Sequence, residues 1–257
     1  LFAEYAMGYL AHYGIPAEEL EKMLWTAGAL CYRNGAENPL AHVRNGPQSL
    51  DDIIKLNEPD ARGKAKNMMI AAPLRLHDCS LVSDGAAALV VTATSSVSNK
   101  ARAVEIAGIG HSVERLPENV RPNMYDLMGG KDAARKAYAE AGIKPADIDL
   151  VEVHDCFTIN QILSTEALGL AEDGRAGYDY LDGRFTRDDA KVAVNLSGGL
   201  KSKGHPVGAT GASMHALIYK QLIGEAIGVK AKKADIGVAF NVGGSAVTNC
   251  VTVLKKL

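Results

Sequence analysis

The sequence is poor in the features that mark several large classes of protein. Cysteine is scarce: Cys31, Cys79, Cys156 and Cys250 stand far apart, with no Cys-x-x-Cys pair and no ladder of cysteine and histidine. That argues against a disulfide framework and a structural zinc site, so reduced thiols and no bound metal are expected. No apolar run approaches the roughly 18–20 residues that span a bilayer, and no secretory leader is read at the start. Neither sign of charge is in excess, with 28 basic against 30 acidic side chains and a net charge of −2. Neither nucleic acid nor a membrane is therefore expected as a partner, and the expected location is cytoplasmic. Aromatic residues make up only 5%, and Trp25 is the single tryptophan. Tyr5, Tyr9 and Tyr13 recur at helical spacing, which suits packing better than a base-stacking platform.

What is present is 257 residues, 47% of them hydrophobic, enough to bury a sizeable core in one large domain or two smaller ones. The chain opens on Leu1 inside an amphipathic pattern, with no capping residue before it, and so reads as part of a longer polypeptide. A first helix is expected to stop at Gly14, and a second to run from Pro16 through Leu24. Residues 31–75 are crowded with Asn, Pro and Gly and read as loops with short helical stretches, including Ser49–Ile54. From Leu76 onward, short apolar runs alternate with helical patterns, the texture of an α/β fold whose strands are covered on both faces. Strands are expected over Asp84–Thr92, Ala103–Gly110, Leu150–Val153, Lys191–Asn195, Ile236–Phe240 and Ser245–Leu254. Helices are expected over Lys131–Ala141, Thr158–Leu168 and Gly211–Gly224.

Four segments put polar residues or glycines where strands end, the usual location of sites in open α/β sheets. They are Asp78–Gly85, His154-Asp155-Cys156-Phe157, Gly198–Gly211 and Asn241-Val242-Gly243-Gly244-Ser245. In the third, glycines at 198, 199, 204, 208 and 211 surround His205-Pro206 and lead into a helix of small residues. Such glycines suit positive φ or a ligand brought against the backbone, and the helix start offers free N–H groups to an oxyanion. The run matches neither a Walker nor a dinucleotide pattern; a structural loop with a solvated histidine is the competing interpretation. His154 and Cys156 would project to one side if the strand continued, and a thiol beside an imidazole can have its pKa lowered. A small core cysteine beside a hydrogen-bonded turn histidine fits the residues equally well. Asn241–Gly244 could form an oxyanion pocket or simply a hairpin turn. Cys31 and Cys250 are assigned to packing.

Taken together, His154-Asp155-Cys156-Phe157, Gly204-His205-Pro206-Val207-Gly208-Ala209-Thr210-Gly211 and Asn241-Val242-Gly243-Gly244 resemble the carboxyl-terminal part of a thiolase. The variant resembled is the sterol-carrier-protein type, with its bacterial and archaeal acetyl-CoA acetyltransferase relatives. The resemblance implies a layered αβαβα thiolase core. Residues 1–75 would then be the end of the CoA-covering loop region, 76–99 the last strand of the first half-core, and 100–257 the second half-core. It implies acyl transfer in lipid and fatty acid metabolism with coenzyme A and acyl-CoA as substrates, no covalently bound cofactor, and assembly as a homodimer or tetramer. A small zinc-ribbon/OB-fold protein is a possible partner. His205 would activate a nucleophilic cysteine and hold the thioester oxygen of an enolate, His154 would bind that oxygen through a water, and Cys156 would move the α-proton. The Gly243 N–H would hold the acyl-enzyme oxyanion. Ser80, Phe157, Gly204, Gly208 and Asn241 would contact CoA or substrate. None of the four cysteines matches the family's nucleophile motif, so that cysteine is expected outside this chain, which alone would be inactive. Two alternatives are a retro-aldolase acting on a 3-hydroxyacyl-CoA and a non-catalytic acyl-CoA-binding scaffold.

Overall fold

A computed structural model describes residues 1–115, 121–189 and 191–257. Helix α1 (Phe2–Tyr13) ends where expected, at Gly14 in the left-handed conformation. Helix α2 (Ala17–Glu37) runs well past Leu24, because Leu20, Met23, Leu24, Ala27, Leu30, Cys31 and Asn34 keep one buried stripe to its end. Its Gly35 marks a close approach rather than a stop: a Cβ there would lie 1.9 Å from Ser202 Oγ. Helix α3 (Leu50–Asn57) starts at Ser49 with a capping box to Asp52. A small hairpin follows, β1 (Met69–Ala71) and β2 (Leu74–Arg75).

The main sheet has the order β3-β7-β6-β4-β5. Its strands are β3 (Val104–Val113), β4 (Leu150–Val153), β5 (Ala193–Val194), β6 (Ile236–Gly243) and β7 (Thr248–Lys256). β4 pairs in parallel with β5 and β6, whereas β7 is antiparallel to both β6 and β3. Between the strands lie α4 (Met128–Ala141), α5 (Thr158–Ala167), α6 (Ala176–Leu181) and α7 (Thr210–Leu222). Ala133, Ala134 and Ala137 of α4 and Ile159, Ile162 and Leu163 of α5 bury one face of the sheet together with α1 and α2. The other face buries Met214, Ile218 and Leu222 of α7 against Leu150, Ala239 and Leu254. The sheet is thus covered by helices on both sides, as the alternation of apolar runs predicts.

Two expected strands change. Asp84–Thr92 forms no ladder with any described residue, and Val90 and Val91 are 98% and 71% exposed. A β-branched run becomes a strand only where a neighbour takes its backbone groups. The last strand begins at Thr248 rather than Ser245, because Gly244, Ser245 and Ala246 all take positive φ and form a left-handed turn after β6. No helix among the described residues is long and apolar enough to cross a membrane.

Candidate active site

Strand β4 stops at Val153 because the chain turns tightly about His154, with the Asp155 N–H donating to the Val153 carbonyl at 3.0 Å. The extended geometry that would project His154 and Cys156 to one side is lost there. His154 turns to the neighbouring strand, where Asn241 Oδ1 on β6 lies 2.9 Å from its Nδ1. The amide oxygen can only accept, so Nδ1 carries the proton and the neutral ring presents a lone pair at Nε2. Burial lowers the His154 pKa to about 4, and the nearby His205 and Lys203 act in the same direction. At neutral pH this imidazole is uncharged.

His205 reaches the same place from the glycine-rich loop. Its ring meets that of His154 edge to face, with centroids 5.0 Å apart and an interplanar angle of 89°. Thr210 Oγ1 lies 2.8 Å from His205 Nδ1 and donates its own proton to the Pro206 carbonyl at 3.1 Å. A hydroxyl has one proton to give, so it accepts from Nδ1–H and leaves His205 Nε2 as a base. Burial lowers the His205 pKa, with the Lys203 ammonium second. Lys203 is itself nearly buried and donates to Ser213 Oγ at 3.0 Å.

The loop gains its shape from a π-helical turn, Gly199–Lys203, bracketed by Gly198 and Gly204 at φ +96° and +123°. A second tie comes from the extended segment beside it. Ser83 Oγ accepts the His205 N–H at 2.9 Å, and the Ser80 N–H donates to the Cys156 carbonyl at 2.8 Å. Cys79 pairs with Phe157, and Val82 with His205, in isolated bridges. Ser80 and Phe157 are therefore brought to the turn after β4, where Phe157 also stacks on Phe2 at 4.7 Å.

Cys156 is buried in the first core, and no lowering of its thiol pKa occurs. Burial pushes it well up, and the Asp155 carboxylate adds to that. Its proton is held firmly at neutral pH. Cys31, Cys79 and Cys250 are also raised, each first by burial. Gly243 closes β6 two residues beyond Asn241, and Gly208 stands two residues before α7, with open space where a Cβ would be. A groove of about 990 Å³ passes Gly204 and Pro206 beside α7 and the exposed 84–99 segment, but His154, His205 and Cys156 do not line it. Among the described residues, no cluster of side chains could hold a metal ion.

Thr210, Ser83 and Lys203 join this site beyond the residues expected from the sequence. Thr210 alone had a readable signal, standing one helical turn beyond Pro206 at the start of an expected helix.

The chain is similar to several known proteins. The family described as Thiolase C-terminal domain-like matches residues 110–256. The acetyl-CoA acetyltransferase of Methanothermobacter thermautotrophicus is 35% identical over 257 residues, covering 100% of this chain and 63% of its own length. That of Methanocaldococcus jannaschii is 35% identical, covering 99% and 63%. Human sterol carrier protein 2 is 33% identical, covering 96% and 43%. The chain thus spans less than two thirds of the length of each of these relatives. Among solved structures, the Ltp2-ChsH2(DUF35) aldolase superposes with a TM-score of 0.78 at 18% identity, over 99% of this chain and 62% of its own. A monomeric SCP2-thiolase-like protein from Mycobacterium smegmatis gives 0.71 at 18%, over 100% and 51%. These last two show the likeness of fold.

Proposed function

The chain belongs to the thiolase C-terminal domain-like family, and on that premise we propose that it supplies the acid–base and oxyanion groups of a CoA-dependent acyl-transfer site. The reaction is cleavage of a 3-ketoacyl-CoA by CoA, or its reverse, Claisen condensation. The observation that supports this best is the pair of crossed imidazoles, whose Nδ1 atoms are engaged by Asn241 and Thr210 so that both Nε2 atoms are left to substrate.

In the cleavage direction, His205 Nε2 takes the proton of a nucleophilic cysteine, whose sulfur attacks the 3-keto carbon. The bond between the α-carbon and that carbonyl carbon breaks, and its electron pair forms a thioester enolate. His205, now carrying Nε2–H, donates to the enolate oxygen, a contact worth about 3 to 4 kcal/mol per good donor. His154 presents a lone pair rather than a proton, so it accepts one proton of a water whose other proton faces the same oxygen. Cys156 gives its proton to the α-carbon, a role that suits a thiol held protonated by burial. The Cys156 thiolate then takes the proton of the CoA thiol, whose sulfur attacks the acyl-enzyme; the Gly243 N–H holds the resulting oxyanion, and the acyl–cysteine C–S bond breaks as His205 returns its proton to the leaving cysteine sulfur. Ser80, Phe157, Gly204 and Gly208 border the CoA and acyl path.

The nucleophilic cysteine comes from outside these 257 residues. In support, all four thiols here have raised pKa values, the opposite of what a ready thiolate needs. Residues 1–75 serve as the end of a CoA-covering region, 76–99 as the last strand of a first half-core once strands from outside these residues pair with it, and 100–257 as the second half-core. The family match over 110–256 is in keeping with the last of these. We further propose a cytoplasmic protein of lipid metabolism, assembled as a homodimer or tetramer. The name of the Ltp2-ChsH2(DUF35) aldolase pairs two components, which supports a partner subunit, here of the zinc-ribbon/OB-fold kind. The same neighbour, with the four raised thiols, favours a second function, retro-aldol cleavage of a 3-hydroxyacyl-CoA through the same enolate pocket.

The deciding experiment follows deuterium entry from D2O into the α-carbon of acetyl-CoA, catalysed by the full-length protein. Exchange that is abolished by Cys156→Ala and by His205→Asn supports the proposal. Exchange indifferent to both substitutions refutes it.

A further inference from the structure

The middle residue of His154-Asp155-Cys156 takes no part in the chemistry above, yet its side chain is fully buried and ringed by donors. Asp155 Oδ1 accepts the Leu200 N–H at 2.6 Å, Oδ2 accepts the Lys201 N–H at 3.1 Å, and the Cys31 thiol approaches Oδ2 at 3.4 Å. Both amides belong to the π-helical turn that leads through Gly204 into His205. Gly199, at φ +58°, is what lets the carboxylate in, since a Cβ there would lie 2.3 Å from Oδ2. A buried carboxylate is costly unless donors face it, and an apolar side chain could fill a core position without that cost. Here the donors are two adjacent backbone amides of the histidine-bearing loop. The carboxylate therefore restrains that loop rather than merely filling space.

We propose that Asp155 is a positioning residue whose carboxylate ties the turn bearing His154 and Cys156 to the loop bearing His205, and so sets how these groups stand to one another. The catalytic consequence rests on the acyl-transfer function proposed above; the tie itself rests on geometry alone. The 79–83 segment completes the arrangement, bonding Cys156 through Ser80 and His205 through Ser83. Lys201, whose amide is held by Asp155, donates its buried ammonium to the Cys79 carbonyl. Three segments are thereby linked in a closed ring of hydrogen bonds, with Asp155 making the direct link between the two that carry the reacting groups.

The test is Asp155→Asn in the full-length protein. Asparagine keeps the shape and one acceptor, but its NH2 group would face an amide N–H. A misplacement of about 1 Å can cost on the order of 10²-fold in rate, so kcat should fall by about that factor while KM for the acyl-CoA stays within about threefold. Deuterium exchange at the Leu200 and Lys201 amides should quicken about tenfold or more as local opening becomes easier. An unchanged kcat in the variant would overturn the inference, whatever happened to its melting temperature. So would rapid exchange at Leu200 and Lys201 in the unmodified protein, a readout that needs no variant to fold. Unmodified protein that turns over no acyl-CoA, but whose two amides are protected and then released by Asp155→Asn, would refute the acyl-transfer function and leave the tie standing.

Discussion

Asn241 Oδ1 accepts the Nδ1–H of His154 at 2.9 Å, and this one bond decides which nitrogen of the imidazole is left free. Replacing Asn241 by Leu removes the acceptor without adding charge, so the ring can swap tautomers. One hydrogen bond is worth about 1 kcal/mol, and kcat is expected to fall roughly fivefold. Asn241→Asp acts differently, because a carboxylate within about 4 Å favours the imidazolium. Titration of His154 by NMR should show its pKa rising from about 4 in the Asp variant; an unmoved value would mean that the bond does not form in solution.

The acid side of the pH–rate profile reports the free base. His205 is held below the ordinary histidine value of 6.5 by burial and by Lys203, so the acid limb of kcat/KM should have its midpoint below pH 6.5. Lys203→Met removes the second of these causes and should move the acid limb towards higher pH.

Glu152 supplies a stability test with a defined sign. It is fully buried on β4, accepts from the Ser197 N–H at 3.0 Å and from Ser197 Oγ at 2.5 Å, and has its pKa raised to about 7, first by desolvation. The folded state therefore holds a proton that the unfolded state releases near pH 4.5. Stability from this group is full below pH 4.5 and is lost as pH rises to about 7, by an amount on the order of 3 kcal/mol. Glu152→Gln should abolish that part of the slope in urea midpoints measured between pH 4.5 and 8. Parallel curves for the two proteins would mean that Glu152 does not titrate in this range.

The β3 edge of the sheet is partly covered by side chains. Glu140 of α4 accepts the Ile109 N–H at 2.7 Å, and Lys136 one turn earlier donates to the His111 carbonyl at 3.0 Å. An uncovered strand edge invites pairing with another chain. The Lys136→Ala/Glu140→Ala variant should lose less than about 1 kcal/mol of stability, since both groups are largely exposed, yet self-associate more readily in size-exclusion chromatography with light scattering. An unchanged mass over a concentration series would remove this role.

Much of this architecture was legible in the residues. Gly14, Gly142 and Gly169 stop helices as their positions suggest, and the run from Lys144 to Val153 folds as a turn into a strand. The motif segments carrying His154, His205 and Asn241 lie together in the fold, because strand ends on one side of a sheet share a neighbourhood. Two things escaped a reading along the chain. Gly35 belongs to a stretch that reads as loop until α2 is seen to press on Ser202, a contact made across a long sequence separation. The raised thiol of Cys156 and the role of Asp155 likewise depend on burial and on amides some 45 residues away, which no local pattern encodes.

The close approach of α2 gives a test of packing. In Gly35→Ala the added methyl would lie 1.9 Å from Ser202 Oγ. The overpacking cost of about 1–3 kcal/mol outweighs the gain of up to about 1 kcal/mol in helix propensity. A lower urea midpoint is expected, with recovery in Gly35→Ala/Ser202→Gly; a single variant as stable as the parent would contradict the packing.

On the proposed function, these residues serve an acyl group carried on a cysteine elsewhere. Incubating the full-length protein with a 3-ketoacyl-CoA, quenching in acid and mapping the peptides by mass spectrometry asks which sulfur is acylated. An acyl group is expected on a cysteine outside residues 1–257, with Cys31, Cys79, Cys156 and Cys250 unmodified and no turnover by the 257-residue chain alone. An acyl group on any of those four, or on no cysteine at all, would contradict it.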